Sequence, residues 1–88
     1  MRPVIFASQA KADYENRAKK DKKTHQKIIL LIRDIDRSPF TGIGKPEPLK
    51  YQLAGFWSRR INNKDRLVYQ ISPGDEIVIA SCKGHYSK

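Results

Sequence analysis

One apolar stripe sets the main constraint on what this sequence can fold into. Four aliphatic residues recur at the i, i+3, i+4 and i+7 positions of one helix face: Ile28, Leu31, Ile32 and Ile35. A helix with such a face must bury it against another part of the fold. This helix has to end by Ser38, because the residue before a proline is pushed out of the α region.

The second half of the sequence predicts the surface against which that stripe packs. Segments rich in β-branched and aromatic residues span positions 56–61, 66–71 and 77–82. Turn-forming residues at 62–65 and 72–75 separate the three segments. They therefore predict two hairpins in series, which form an antiparallel meander.

The first half predicts a strand followed by two helices. Positions 4–6 are β-branched and aromatic and predict a short strand, with Ser8 as the N-cap of a first helix over about 9–20. Thr24 is the expected cap of the second helix. Residues 40–50 predict an irregular loop, because they hold glycines and prolines and show no apolar periodicity.

Together these elements indicate a single α+β domain over residues 1–88, in which the helical stripe covers one face of the sheet. Three arginines, Arg59, Arg60 and Arg66, interrupt the apolar alternation of the predicted strands. The pattern therefore does not say which face the helices cover. A face that exposes these arginines would form a floor for binding anions.

The charge balance restricts the class of partner. Lys and Arg number 18 against 9 Asp and Glu, a net charge of +9, so polyanions are the expected partners. The longest uninterrupted apolar stretch, 28–32, is far shorter than the roughly 18 residues of a spanning helix. The apolar start is also too short for a secretory signal. We expect a soluble, cytoplasmic protein that makes no membrane contact.

Metal and cofactor chemistry is not expected. Cys82 is the single cysteine, which excludes an internal disulfide and any cysteine-based zinc site, and it is the expected small core residue. With only His25 and His85 as histidines, no ligand cluster is expected to hold a metal ion. Any catalysis is therefore expected to be cofactor-free.

Cleavage of RNA without a cofactor has requirements that this sequence can meet. A base must take the proton of the ribose 2′-hydroxyl, an acid must protonate the leaving 5′ oxygen, and cations must stabilise the phosphorane. Glu47 and His85 are candidates for acid and base, and Tyr86 is a candidate for base stacking or proton transfer. The candidate cations are Lys50, Arg59, Arg60, Arg66 and Lys83.

Each candidate also has an ordinary structural interpretation. In that interpretation Glu47 is a solvated loop charge and His85 a half-exposed residue near the C-terminus. Arg66 then pairs with Asp65 or with a strand neighbour, and Trp57 belongs to the core. Composition alone does not choose between the two interpretations, because most small basic proteins contain such residues.

The order of the local patterns carries more information than the inventory. Four segments stand in sequence: Gly-Lys-Pro-Glu-Pro-Leu-Lys at 44–50, Leu-Ala-Gly-Phe-Trp-Ser-Arg-Arg-Ile at 53–61, Arg-Leu-Val-Tyr at 66–69 and Ala-Ser-Cys-Lys-Gly-His-Tyr at 80–86. This string resembles the YoeB/Txe family of toxins, in the RelE/ParE superfamily. The similarity extends to residues 6–14 and 38–42 and so covers in effect the whole chain.

The resemblance implies a fold, an activity and partners. The expected fold is a four-stranded, mostly antiparallel, microbial RNase-like sheet with two N-terminal helices packed on it. The expected activity is that of a type II toxin, a metal-independent endoribonuclease that cuts mRNA in the ribosomal A site. The expected partners are the 70S ribosome, mRNA and a YefM/Axe-like antitoxin whose acidic disordered segment masks the site. Promoter DNA is bound only through the toxin–antitoxin complex, and members of the family are often dimeric.

The resemblance also assigns roles to residues. Glu47 matches the general base and His85 the general acid. Arg66 matches the arginine that stabilises the transition state, and Tyr86 matches the C-terminal tyrosine of the active site. The expected RNA contacts are Lys50 and Arg60, which match basic positions of the RNA groove, together with the further cations Arg59 and Lys83.

Three departures from the family pattern stand in this sequence. Ser87 and Lys88 extend past the tyrosine that often ends the chain in the family. Lys83 and Gly84 stand where many relatives have arginine and a large residue, which predicts a looser position for His85. Asn16 and Arg17 stand where a tryptophan is often found, which predicts a change in packing rather than in chemistry.

Three other functions fit parts of the sequence. A non-catalytic RNA- or ribosome-binding domain needs only the charge, and it would tolerate Glu47→Ala while losing affinity gradually with each cation removed. A ParE-like inhibitor of DNA gyrase has the same fold but lacks the Glu, Arg, His and Tyr set. A nuclease that cuts free RNA without the ribosome is the third alternative.

Overall fold

The computed structural model describes residues 1–84, so His85 and Tyr86 lie outside the described residues. The described elements are β1 (Val4–Phe6), α1 (Ser8–Lys20), α2 (Lys22–Arg37), β2 (Glu47–Pro48), a short 3₁₀ helix (Tyr51–Leu53), β3 (Trp57–Arg60), β4 (Arg66–Ile71) and β5 (Ile77–Ser81). The predicted order of one strand, two helices and a β-rich second half is confirmed.

Within residues 1–84, the strands form one five-stranded sheet in the order β1-β5-β4-β3-β2. β1 runs parallel to β5, and the other neighbours are antiparallel. The α+β class with two helices on a mostly antiparallel sheet is therefore confirmed, with one strand more than expected. The additional strand is β2, which lies in the segment predicted to be an irregular loop. Pro48 fits there because β2 is an edge strand, where a missing N–H costs no ladder bond on the outer side.

The apolar stripe of α2 forms the centre of the core, as predicted. Ile28, Leu31 and Ile35 are completely buried. They belong to a cluster that also includes residues of the two central strands, namely Leu67, Tyr69, Ile77 and Ile79. The helices thus cover the sheet face on which these strand residues lie.

Both predicted helix caps are wrong: Ala7 is the capping residue of the first helix and Asp21 that of the second. Ser8 is already helical, and the capping residue Ala7 makes no side-chain hydrogen bond. The second helix begins at Lys22, before Thr24, because the Asp21 carboxylate accepts hydrogen bonds from the Thr24 N–H and Oγ1 at 3.1 and 2.7 Å. The Asp21 N–H donates to the Arg17 carbonyl at 2.9 Å. Asp21 therefore ends α1 and starts α2.

Arg59 is a structural residue, which contradicts the expectation that it contacts RNA. Its side chain is completely buried, and its guanidinium pairs with Asp34 Oδ2 at 2.5 Å. Nε donates to the Tyr69 hydroxyl at 3.2 Å. The remaining hydrogen bonds go at 2.7–3.1 Å to three carbonyls of the loop after α2, those of Ser38, Thr41 and Ile43. A guanidinium that is occupied in this way by protein oxygens has no access to a phosphate.

Two smaller predictions concern core residues. Cys82 is completely buried, and burial raises the pKa of its thiol to about 11, so it behaves as a small apolar residue. Trp57 is partly buried and packs against the core cluster, with its ring 4.8 Å from that of Phe40. No helix within residues 1–84 has both the length and the apolar character needed to cross a bilayer.

Candidate active site

The sheet face away from the helices is the polar face. Side chains alternate along a strand, and Arg59, Leu67 and Tyr69 point toward the helices, since they contact Asp34 or join the core. Their neighbours Arg60 and Arg66 therefore lie on the opposite, open face. This settles the question that the sequence pattern left open.

Strand register places the predicted base on the same open face. Glu47 lies opposite Ser58, and Ser58 shares a face with Arg60, two residues further along β3. Arg60 in turn lies opposite Arg66 on β4. Neighbouring strands are about 4.8 Å apart, so Glu47 lies two strand spacings from β4, across from Val68, and Arg66 stands two residues from Val68 on the same face. The open face thus combines one carboxylate and two guanidinium groups.

Glu47 is exposed at the edge of the sheet and is held by a stiff backbone. The prolines on both sides fix their own φ angles, and Glu47 pairs with β3. The prediction that Glu47 lies in an irregular loop is therefore wrong, because its main chain belongs to a strand. A carboxylate that is held in this way loses little conformational entropy when it acts on a substrate.

Arg60 and Arg66 form a pair of like charges. The two residues lie directly opposite each other on β3 and β4, and like charges on directly opposite residues destabilise a sheet. Arg60 is exposed and Arg66 is half-buried. An anion that binds between the two guanidinium groups would remove the repulsion, and phosphate oxygens match their geometry.

The turn between β3 and β4 fixes the direction of the Arg66 side chain. Its Nη1 donates to the carbonyl oxygens of Asn62 and Asp65 at 2.8 and 3.1 Å. Arg66 therefore contacts Asp65 through the main-chain carbonyl of Asp65 and not through its carboxylate. The Asp65 carboxylate instead lies 3.3 Å from the Arg17 guanidinium.

The segment that leads to His85 is attached beside Arg66. Gly84 donates its N–H to Asp65 Oδ1 at 2.7 Å and accepts the Arg66 N–H on its carbonyl at 3.0 Å. Its φ of +75° favours glycine over other residues. Gly84 itself is therefore firmly held, although the expected looseness of His85 concerns a residue outside the described part of the chain.

The open face brings together three of the predicted site residues and leaves others at its border. Glu47, Arg60 and Arg66 share the face itself. Lys50 is exposed just after β2. Lys83 is exposed and lines a groove of about 500 Å³ with Gly84, beside the turn from β3 to β4. His85 and Tyr86 lie outside the described residues.

Sequence reasoning missed three residues near this face. Lys64 lines the same groove as Lys83. Tyr51 is 79% exposed and has a φ of +58°, so it presents an aromatic ring to solvent next to Lys50. Asp65 was considered only as a partner for Arg66. An aromatic residue directly after a lysine in a loop was the one available signal for Tyr51.

Comparison with known proteins decides the family. A family model described as a YoeB-like toxin of bacterial type II toxin–antitoxin systems matches residues 6–86. The chain belongs to the YoeB family of toxins. A toxin YoeB from Synechocystis sp. is 49% identical over 85 residues, which are 97% of this chain and 98% of that protein. The resemblance predicted from the ordered motifs is thereby confirmed.

Solved structures of YoeB proteins have the same fold. A YoeB–YefM complex from Staphylococcus aureus matches with a TM-score of 0.90 at 46% identity, covering 98% of this chain and 99% of that one. A YoeB dimer from the same organism matches with a TM-score of 0.89 at 48% identity, covering 97% and 98%. The YoeB family match extends to residue 86 and so includes His85 and Tyr86, the two site residues that the structure does not describe.

Proposed function

We propose that this type II toxin is a ribosome-dependent endoribonuclease that needs no metal ion and cuts mRNA in the ribosomal A site. The observation that carries the proposal is the placement of Glu47, Arg60 and Arg66 on one open sheet face. A base beside paired cations is the arrangement that attack by a ribose 2′-hydroxyl requires.

Each group has one step in the proposed reaction. Glu47 removes the proton from the 2′-hydroxyl, whose oxygen then attacks the adjacent phosphorus. Arg66 stabilises the charge on the phosphorane. His85 donates a proton to the 5′ oxygen as the bond between phosphorus and that oxygen breaks, and Tyr86 completes the site beside it. The products are a 2′,3′-cyclic phosphate, which can open to a 3′-phosphate, and a 5′-hydroxyl.

The exposed cations around the face are proposed to bind the RNA backbone. Lys50 and Arg60 flank Glu47 and Arg66, and Lys83 lies at the groove beside Gly84. Arg59 has no part in this surface because it is buried among protein oxygens. The exposed ring of Tyr51 is in addition available to stack on a base.

The proposed partners are the 70S ribosome, mRNA and a YefM-like antitoxin. The last is supported by a similar YoeB protein from Staphylococcus aureus that was solved in complex with YefM. The net charge of +9 suits an acidic antitoxin segment. A homodimer is also proposed, since a similar YoeB protein forms one. Promoter DNA is contacted through the antitoxin complex, and the site of action is the cytoplasm.

Primer extension on a defined mRNA in a purified translation system tests the activity. Wild-type protein should produce discrete cuts that require ribosomes. Arg66→Ala should lower the cleavage rate at least about 10²-fold, because one well-aimed charge contributes about that much. Glu47→Gln, which keeps the shape and removes the base, should lower it about 10²- to 10⁴-fold.

Controls separate the enzyme from its alternatives. Arg33→Ala changes an exposed arginine on α2, on the covered side of the sheet, and should cut like wild type. Cuts that persist without ribosomes would show a nuclease for free RNA. Ribosome binding without any cuts would show the non-catalytic binding domain, and inhibited DNA supercoiling would show a gyrase inhibitor.

A further inference from the structure

A buried carboxylate lies next to the candidate active site without belonging to it. Asp65 directly precedes Arg66 and is only 4% exposed. Its Oδ1 accepts the Gly84 N–H at 2.7 Å, and its Oδ2 accepts the Asn62 side-chain amide at 3.0 Å. A buried carboxylate is stable only when its oxygens are occupied by donors in this way.

A cation from the first helix completes the surroundings of Asp65. Arg17 Nη2 lies 3.3 Å from Asp65 Oδ2, and both side chains are largely buried. Burial alone would raise the pKa of the Asp65 carboxyl, but the Gly84 N–H, the Asn62 amide and the Arg17 charge outweigh it and hold this pKa below its usual range. Asp65 is therefore an anion at neutral pH.

Three separate parts of the chain meet at this one carboxylate. Arg17 comes from α1, Asn62 from the turn after β3, and Gly84 from the segment after β5. The carbonyl oxygen of the same residue receives the Arg66 guanidinium at 3.1 Å. Asp65 thus contacts both the proposed transition-state cation and the residue immediately before the proposed acid, His85.

We infer that Asp65, with Arg17 as its charge partner, is a positioning residue that attaches Gly84, the residue before the proposed acid, to the head of β4 beside Arg66. The inference rests on the proposed ribonuclease function. Asp65 touches no reacting atom in this scheme. From the sequence, Arg17 was expected to change only the packing of the first helix. In the structure its guanidinium has the Asp65 carboxylate as a charge partner.

The attachment does not depend on the strand ladder alone. The Gly84 carbonyl accepts from the Arg66 main chain and would do so whatever residue stands at position 65. The Gly84 N–H, by contrast, depends on the Asp65 side chain. Asp65→Ala removes that acceptor. Asp65→Asn keeps one side-chain oxygen for it, but removes the negative charge and replaces the second oxygen, which accepts from Asn62 and faces Arg17, with an N–H₂ donor. The two variants therefore separate the hydrogen bond to Gly84 from the contacts that Asn62 and Arg17 make with Asp65.

Cleavage kinetics on ribosomes give the functional test. Asp65→Ala should lower kcat about 10²-fold, because misplacing a reacting group by about 1 Å costs about that factor. KM for ribosomes should stay within about twofold, since the exposed cations that bind RNA are unchanged. Asp65→Asn should recover kcat to within about tenfold of wild type. Asn63→Ala, in the same turn and exposed, is the matched control and should leave both constants unchanged.

Hydrogen exchange at the Gly84 amide, followed by NMR, tests the attachment without any activity. This amide should be protected in wild type, and also in Asp65→Asn, and should lose its protection in Asp65→Ala. If Asp65→Ala does not fold, Arg17→Met is the second variant. It leaves the Gly84 acceptor in place but removes its charge partner, and it should lower kcat about tenfold with KM unchanged.

The outcomes are distinct. Loss of Gly84 protection together with unchanged kcat would overturn the inference, as would a protected Gly84 amide in Asp65→Ala. If a core variant such as Ile35→Val, compared at equal loss of Tm, lowers kcat as much as Asp65→Ala does, Asp65 has only a stability role and the inference is overturned too. If wild type does not cut mRNA, the proposed function fails, and the positioning role falls with it even where Gly84 is protected.

Discussion

At the scale of single residues, Arg59 and Arg60 are neighbours with opposite surroundings. Arg59 is enclosed by Asp34, Tyr69 and loop carbonyls, and Arg60 faces solvent on the open side of the sheet. The sequence does not distinguish them, because β3 has polar residues on both of its faces and so shows no alternation of apolar and polar residues. What separates them is contact with Asp34, which lies on a different element.

The two arginines should respond differently to the same substitution. Arg59→Met should lower the free energy of unfolding by about 3–5 kcal/mol, because it leaves the Asp34 carboxylate partly buried without its partner. Arg60→Met should change it by less than about 0.5 kcal/mol, as expected for a surface position. Urea denaturation followed by circular dichroism measures both. Equal losses would contradict the structural role of Arg59.

Candidate site residues could be predicted from the sequence where they belong to a recognisable motif. Glu47 and Arg66 followed from motifs that match a family. Asp65 and Arg17 did not, because their importance comes from a contact between α1 and the turn after β3. A pair so far apart in the sequence leaves no local pattern.

At the scale of elements, α1 and α2 meet at one residue, Asp21. A single aspartate both accepts the Thr24 N–H and donates its own N–H to Arg17. Helix periodicity predicted both helices, but it did not locate the junction, because Thr24 and Asp21 are both good capping residues. The hydrogen bonds from Thr24 hold the pKa of the Asp21 carboxyl below its usual range.

Substitution of Asp21 should show how much the capping of α2 contributes to the thermal stability of the protein. Asp21→Ala should lower Tm by about 4–8 °C at pH 7, because the helix loses its cap. Asp21→Asn should keep most of the stability, since asparagine is also a good capping residue and lacks only the contribution of the charge. Thermal melts at neutral pH measure the two variants, and an unchanged Tm in Asp21→Ala would contradict the capping role.

Acid should remove the advantage of wild type over Asp21→Asn. A carboxyl whose folded pKa is lowered contributes stability above its unfolded pKa of about 3.9, and this contribution is lost as the pH falls through the folded pKa. The difference in Tm between the two proteins should therefore shrink below about pH 4. The other carboxylates are common to both proteins and cancel in the comparison.

The strand β2 could not be predicted from the sequence pattern. Two residues cannot show a period of two, and the prolines beside Glu47 are typical of loops. Only its register with β3 identifies it as a strand. That register is also what brings Glu47 onto the face of Arg60 and Arg66.

At the scale of the whole molecule, the positive charge has two different environments. The open sheet face holds the exposed cations beside Glu47, whereas the helices that cover the other face carry lysines of their own, such as Lys11. Net charge predicted a polyanion as partner, but it did not predict which side of the molecule binds it. The sheet orientation supports the proposal that the open face binds it.

Salt dependence should report which cations contact RNA. The slope of log K against log salt for a short single-stranded RNA should become shallower by about 0.7 for each contact removed. Lys50→Ala, Arg60→Ala and Lys83→Ala should each show that change, and Lys11→Ala should show none. Equal slopes for all four variants would mean that binding follows total charge rather than this face.

The pairing of β1 with β5 has a consequence for synthesis of the protein. Val4 lies opposite Ile77, so the first strand made has no partner until the fifth has left the exit tunnel. Gly84 must also emerge before it can bond Asp65. Contacts between such distant parts of a chain form late in folding. A chain that is still being synthesised therefore has an incomplete sheet, and the attachment of Gly84 forms only after the fifth strand has been made.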